Sequence, residues 1–532
     1  MHTLSKSKLL AFRQCPKRLW LEIYRPELRA DSEATLARLR TGLAVGEIAR
    51  RIYDPDGMGA VIDIDREGFS DALSRSADLL THSRLPIFEA GLAAKGLLAF
   101  ADIMLPEVKN GEPMWKLIEL KASTSVKDYH RDDIAVQAFV ARSAGVHLTS
   151  VILAHIDGTW VYPGNGDYRG LLKEHDLTAE AFARSDEVRG WIDSARKIGK
   201  QTEAPAVAVG PQCHRPFECS FSGYCNRTAV QSRCPLDWLP DLTAAKRQQL
   251  AQQGVHDLRT VPDGILTARQ RIVKKHTLAN TVFFDSSGAA ADLAEHGFPA
   301  YFLDFETIQF AVPIWKRTRP YQQIPFQFSL HRLDDNETLS HAAFLDFSGD
   351  NPSELLARAL VADCGDKGPV FVYSAGFEKS RIRELAERYP DLTHPLTLLN
   401  ARIVDLLPVA RNRYYHPSQH GSWSIKAVLP SILPELSYEQ LEGIRDGTAA
   451  MEAFREAIRP GVSEERKQII RSQLLAYCRL DTYALVRLWC FLTGCKSPAV
   501  DLEVVSAPAI IPVRDQKLHS ADQTCIQAAA IS

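Results

Sequence analysis

The chain has 532 residues, 45% of them hydrophobic and 24% charged, with a formal net charge of −2. These are the proportions of an ordinary globular protein, long enough for roughly two to four domains, and they exclude a uniformly basic nucleic-acid coat. No apolar run approaches the ~18 residues of a membrane span, and "MHTLSKSKLLAFRQC" lacks the apolar core of a signal peptide, so no membrane partner and a cytoplasmic location are expected.

In chain order, residues 4–52 have apolar positions at helical spacing. Residues 85–121 read as strands, "PIFEAGLAAKGLLAFADIML" and "WKLIELKAS", separated by the polar turn "PEVKNGEP". "RDDIAVQAFVARSAG" predicts a helix that Gly145 can end, and "LTSVILAHI" a buried strand. A cysteine-rich loop follows. Residues 231–295 read as a helical, basic linker. From 296 the pattern restarts: strands "YFLDFETI" and "IPFQFSLHRL", helix "PSELLARALVA", strand "PVFVYSA", helix "FEKSRIRELAERY". A long helix near 463–492 closes this alternation, which is an α/β signature. The tail 496–532 has no clear period and is expected to be poorly ordered. Local charge is uneven. Residues 1–30 and 243–276 each hold seven Lys/Arg, and such patches can track a phosphate backbone or form solvated helix faces.

"YFLDFETI" carries Asp304 and Glu306 two residues apart in an apolar strand. Residues i and i+2 share a strand face, so two like charges would lie side by side. A divalent cation with oxygen ligands resolves that repulsion. Partners are available downstream. In "LLAYCRLDTYALVRLW", Tyr477 and Asp481 are four apart and share a helix face. Glu378 opens a helix just after a strand, and Asp405 in "ARIVDLLPV" is a fourth acid. Such carboxylates can hold two Mg²⁺ or Mn²⁺ ions for phosphodiester hydrolysis, with the tyrosine orienting water.

The order Asp304-Phe-Glu306, the acid of "GFEKSRI", then Tyr477-x3-Asp481 resembles the DEDD exonuclease superfamily, tyrosine subtype, over residues 296–495. The resemblance implies a ribonuclease H-like fold, two metal ions and trimming of nucleic acid from 3′ ends. The family usually supplies an aspartate where this chain has Glu378. "GSWSIKAVLP" resembles a segment near such sites, which implies phosphate contacts for Ser424 and Lys426.

The first half has its own cluster. Glu119 and Lys121 are i, i+2 on one strand face, and Asp102 ends the preceding strand of an apparent hairpin. Two acids can hold a divalent ion, and the lysine can polarise water. Glu89 can add a metal contact, and Gln137 lies on the next helix with Tyr129, Arg131 and Arg142 nearby. Of ten cysteines, Cys213, Cys219 and Cys225 cluster, and Cys15 lies far upstream in "RQCPKRLW". Four thiolates suit a [4Fe–4S] cluster or a tetrahedral zinc. One early and three late cysteines bracketing Asp…Glu-x-Lys resemble the iron–sulfur PD-(D/E)XK nucleases, RecB-like and CRISPR-associated, over residues 1–230. The whole chain resembles bacterial proteins of uncharacterised role that fuse this restriction-endonuclease-like fold to a DEDD-like domain. The expectation is therefore an α/β chain of two nuclease-like domains, acting on nucleic acid, with DNA favoured over RNA. The alternatives are a nucleic-acid-binding or redox-sensing iron–sulfur protein with one or both sites inactive.

Overall fold

Two sheets organise the chain, and each is built from the apolar runs that mark its strands. The computed structural model describes residues 4–228, 232–436, 438–496 and 498. The tail from 496 lies, apart from Lys496 and Pro498, outside the described residues.

The first sheet has seven strands: β1 (Leu4–Ser5), β2 (Ala60–Val61), β3 (Ile87–Ala94), β4 (Leu97–Lys109), β5 (Glu112–Lys121), β6 (Leu148–Ile156) and β7 (Leu172–Asp176). Their order is β2-β3-β4-β5-β6-β7, with β1 added beside β4. Where one polar turn was expected there are two tight hairpins. Lys95-Gly96 and Asn110-Gly111 all have positive φ, the signature of a two-residue turn that matches strand twist. "PEVK" therefore continues β4, and Asp102 lies within that strand rather than at its end. The helix Asp128–Ser143 buries Ile134, Val136, Ala138 and Val140 against the sheet. Two N-terminal helices, α1 (Lys6–Gln14) and α2 (Pro16–Tyr24), pack at its side.

The connecting stretch begins with the helix Ala244–Gln252, ended by Gly254 in a left-handed conformation. The linker read as helical then runs through short 3-10 turns, Leu258–Thr260 and Asp263–Ile265, before the helix Ala268–Ala279. Further on, β8 (Phe283–Phe284) pairs with a strand near 414, and the helix Ser286–Leu293 packs on the long C-terminal helix.

The second sheet has the strands β9 (Ala300–Ile308), β10 (Ile324–Leu333), β11 (Leu339–Leu345), β12 (Val370–Val372) and β13 (Ile403–Asp405), in the order β11-β10-β9-β12-β13. β9 is central, antiparallel to β10 and parallel to β12. Helices Ser353–Cys364 and Gly376–Arg388 cover one face. The helix Glu464–Thr493 crosses the other face and is tied there by Gln327, whose side chain donates to Leu474 O at 2.9 Å.

The two halves meet along 309–322 and 157–171. Ile156, Leu171 and Ala311 share a small core with Val45 and Ile48. Tyr162 N donates to Thr318 O at 3.0 Å and Arg317 N to Tyr162 O at 2.9 Å. The Tyr321 hydroxyl donates to Ala122 O, one residue after Lys121. Among the described residues, no helix is long and apolar enough to cross a membrane.

Candidate functional site

The chain carries three clusters of chemistry-bearing side chains. In the first sheet, Ile103 pairs with Ile118 in antiparallel register, which sets Asp102 of β4 beside Glu119 of β5. The Asp102 carboxylate accepts the Leu120 N–H at 2.6 Å. From the helix above, Asp133 and Gln137, four residues apart, turn toward the same strands. Gln137 is fully buried. Its amide donates to Glu119 Oε2, and to Phe100 O at 3.1 Å. Lys121 Nζ lies 2.6 Å from Glu119 Oε1 and 2.5 Å from Asp133 Oδ2. A second ammonium enters from α1: Lys6 Nζ is 2.9 Å from both Glu119 Oε1 and Asp133 Oδ1.

The charge pattern follows from that geometry. Burial pushes the Glu119 carboxyl up to about 8, and the neighbouring Asp102 and Asp133 add to the shift against Lys121 and Lys6. Burial also raises Asp102. Burial acts on Asp133 in the same direction, yet Lys121 and Lys6 outweigh it and hold this carboxyl far below its ordinary value. Both lysines are kept charged by the acids despite burial. Glu89 sits at the edge with a left-handed backbone, 3.8 Å from Arg50, and is raised by burial. Tyr129 packs on Phe217, Arg131 pairs with Glu180, and Arg142 stacks over Phe182; none of the three is bonded to the acids. Asp133 and Lys6 are the two members that sequence reasoning missed.

The second cluster lies on the central strand of the second sheet. Asp304 pairs with Ser329, and Glu306 with Gln327, so both side chains face the long helix. Cys478 of that helix approaches Asp304 Oδ2 at 3.8 Å. Ligand atoms of Asp304, Glu306 and Cys478 all lie within 4.8 Å of one another. Asp481 accepts the Tyr438 hydroxyl at 2.5 Å, and Lys426 donates to Tyr477 Oη at 3.2 Å. Lys426 also sits over the rings of Tyr438 and Tyr477. Glu378 is buried, and its Oε2 has no partner among the described residues.

Asp304 is raised well above its usual range by burial, then by Asp481, Glu306 and Glu378 in turn. Burial and Asp481 push Glu306 up to about 8, against Lys426. Burial raises Glu378 to about 7 and Asp481 to about 6, the latter moderated by Tyr438. Asp304 thus feels three like charges and Glu306 feels that of Asp481, while Glu378 feels Asp405.

Asp405 has a different task. Its two oxygens accept the N–H groups of Ser374, Ala375 and Leu407, each at 2.9 Å. With both oxygens held by backbone donors, it shapes the turn that delivers Glu378 instead of joining the cluster as a ligand. Ser424 stands at the N-cap position of the helix Ile425–Ile432 without a side-chain capping bond, and its hydroxyl accepts from Ser422 Oγ at 3.4 Å.

The third cluster is sulfur. Cys15, between α1 and α2, lines one pocket with Cys213, Cys219 and Cys225. All four are free thiols. Burial raises Cys219 and Cys225, and Cys213 and Cys15 add to both shifts as neighbours. Among the described residues, no three of these sulfurs gather within 4.8 Å of one another. A single tetrahedral zinc, with Zn–S near 2.3 Å, would bring its thiolates to about 3.8 Å apart.

The basic run at the N-terminus is largely taken up by internal pairs. Arg13 pairs with Asp132, Arg18 with Glu22, Arg25 with Glu27 and Arg29 with Asp31, while Lys6 joins the first acid cluster.

No curated protein matches the chain. A family model described as a domain of unknown function (DUF2779) matches residues 301–424, a span that holds Asp304, Glu306, Glu378, Asp405 and Ser424.

Proposed function

We propose that the chain is a divalent-metal-dependent nuclease that hydrolyses phosphodiester bonds of nucleic acid, exonucleolytic, with DNA favoured over RNA. In this reading the first sheet belongs to a PD-(D/E)XK module and the second to a DEDD-type, ribonuclease H-like module that trims 3′ ends. The observation that carries it is the second cluster. Asp304 and Glu306 lie together with Cys478, Asp304 is raised further by Asp481, Glu306 and Glu378, and Lys426 is the one cation acting on Glu306 and Asp481 among the described residues. Buried like charges of this kind are stable only protonated or around a cation.

Asp304 and Glu306 lie within 4.8 Å of each other and of Cys478, and with Asp481 and Glu378 as further carboxylates these residues would hold Mg²⁺ or Mn²⁺ through oxygen. Such ions supply Lewis-acid stabilisation of phosphoryl charge and a more acidic bound water. The chain's own groups do the rest. The Tyr477 hydroxyl, held by Lys426, is placed to orient a water beside Asp481. Tyr438 fixes the Asp481 carboxylate. In the first site, Asp102 and Glu119 would hold the ion with Glu89 at the edge. Lys121 would then hold a water or a phosphate oxygen, and Gln137 keeps Glu119 in place. The four cysteines line one pocket and would suit a [4Fe–4S] cluster, with a tetrahedral zinc as the alternative.

One observation favours a second reading, a nucleic-acid-binding or redox-sensing iron–sulfur protein with an inactive first site. There Lys6 and Lys121 already neutralise Glu119 and Asp133. The deciding experiment is cleavage of end-labelled single- and double-stranded DNA and RNA with Mg²⁺ or Mn²⁺, by the wild type and by Asp102→Ala and Asp304→Ala separately. Loss of cleavage with retained binding in either variant supports catalysis at that site. Absence of cleavage by the wild type on every substrate would overturn the nuclease reading.

A further inference from the structure

The helix Glu464–Thr493 brings to the second acid cluster one side chain that hydrolysis does not use. Cys478 stands three residues before Asp481, on the same side of the helix, and is fully buried. Its Sγ lies 3.8 Å from Asp304 Oδ2, and ligand atoms of Asp304, Glu306 and Cys478 all fall within 4.8 Å of one another. A buried free cysteine ordinarily packs as a small apolar group. This one faces two carboxylates instead, to which a thiol is only a weak hydrogen-bond donor.

A second observation marks the place as incomplete. Glu306 is only 8% exposed, and among the described residues its carboxylate has no hydrogen bond or ion pair. Buried polar groups are rarely left so, and an ion held between Asp304, Glu306 and Cys478 supplies the missing partner. The spacing selects the kind of ion. Around a tetrahedral zinc, with Zn–O about 2.0 Å and Zn–S about 2.3 Å, an oxygen and a sulfur stand about 3.5 Å apart. The 3.8 Å between Asp304 and Cys478 is close to that value. Mg²⁺ takes oxygen ligands, whereas thiolate favours softer ions, and Zn²⁺ stands above Mn²⁺ in general affinity.

We propose that Asp304, Glu306 and Cys478 form a binding site for a thiophilic divalent ion of the Zn²⁺ class, in competition with Mg²⁺ or Mn²⁺ for the same two carboxylates. The inference rests on the nuclease reading in one respect, that these carboxylates hold the working ions, and adds that zinc displaces them. Binding is an exchange: the S–Zn bond forms as the S–H bond breaks, and the proton passes to solvent with no change of oxidation state.

The test uses the full chain carrying Asp102→Ala, so that bound Mn²⁺ reports the second site. Mn²⁺ is followed by electron paramagnetic resonance while free Zn²⁺ is raised through a chelator buffer, with Cys478 intact, with Cys478→Ser and with Cys478→Ala. Zinc taken up by the pocket of four cysteines releases no Mn²⁺ and does not enter the reading. Loss of the sulfur should lower the preference for Zn²⁺ over Mn²⁺ by on the order of 10–100-fold, the cost of losing even an indirect partner of a metal. Serine keeps the side-chain size, alanine avoids a new buried hydroxyl, and circular dichroism checks both folds. An unchanged zinc preference in the folded variants overturns the proposal and, with a wild type that cleaves, leaves the nuclease reading standing. A lost preference in a protein whose wild type cleaves no substrate keeps the zinc site and overturns the nuclease reading. A chain that binds neither ion at this site overturns both.

Discussion

In the first acid site two ammonium groups lie among the carboxylates, and every charged oxygen of Glu119 and Asp133 has a donor or cation near it. In the second, carboxylates face one another with Lys426 at the margin. The same residue type thus sits in two electrostatic settings. In the first, two ammonium groups hold Asp133 ionised while burial still raises Glu119 and Asp102; in the second, Asp304, Glu306, Glu378 and Asp481 are all raised. The difference gives opposite signs to similar mutations.

The largest expected effect is on activity. Asp304→Ala removes the central acid of the uncompensated set and should reduce 3′ trimming to background, measured on end-labelled strands with Lys121→Ala silencing the first site. Trimming that persists would break the contrast at once. Tyr477→Phe keeps all the carboxylates and removes one hydroxyl, so its loss should be smaller, about 10²–10⁴-fold in single-turnover rate.

Stability comes next. Asp133→Ala leaves Lys6 and Lys121 short of a buried partner and should destabilise the first half by about 3–5 kcal/mol in denaturant unfolding. Asp304→Asn relieves repulsion, and should instead stabilise the metal-free chain by on the order of 1 kcal/mol. Equal signs for the two would show that pairing does not distinguish the sites.

The smallest effect is a pH slope. Glu306 and Glu378 rise from the ordinary 4.5 to about 8 and about 7 in the folded chain. Folded protein therefore keeps protons that the unfolded chain has released. Their stabilising contribution is complete below pH 4.5 and is lost as pH rises through 7 to 8, with a slope of about 1.4 kcal/mol per pH unit for each proton. Thermal melts should show the metal-free chain weakening over this window. Mn²⁺ or Glu306→Gln should flatten the slope. Asp133→Asn should not, because Asp133 stays ionised throughout that range.

How much of this could be read from the chain depended on distance along it. Period-two strands made Asp304 with Glu306, and Glu119 with Lys121, visible as same-face pairs, and the helical period did the same for Tyr477 and Asp481. Asp133 was harder. "RDDI" offers two adjacent acids, and only the four-residue step to Gln137 points to Asp133 as the inward one. Lys6 was hidden in a basic run, because its partners are more than a hundred residues away. Tyr438 and Cys478 carry no charge pattern, and only packing brings them to the acids. Asp405 misled because an acid after a strand fits a metal ligand as well as a cap; the helix "LLPVARNR" that follows it was the available signal for a cap. The hairpin at Lys95-Gly96 was missed because the flanking apolar residues on both sides read as one continuous run.

Helix α1 has one end in each of two clusters. Lys6 is its first residue, and Cys15 follows its last. Nine residues make a rod of about 13 Å. With Leu9 and Ala11 buried along its length, the helix acts as a spacer that fixes how far the ammonium paired with Glu119 and Asp133 stands from the sulfur pocket.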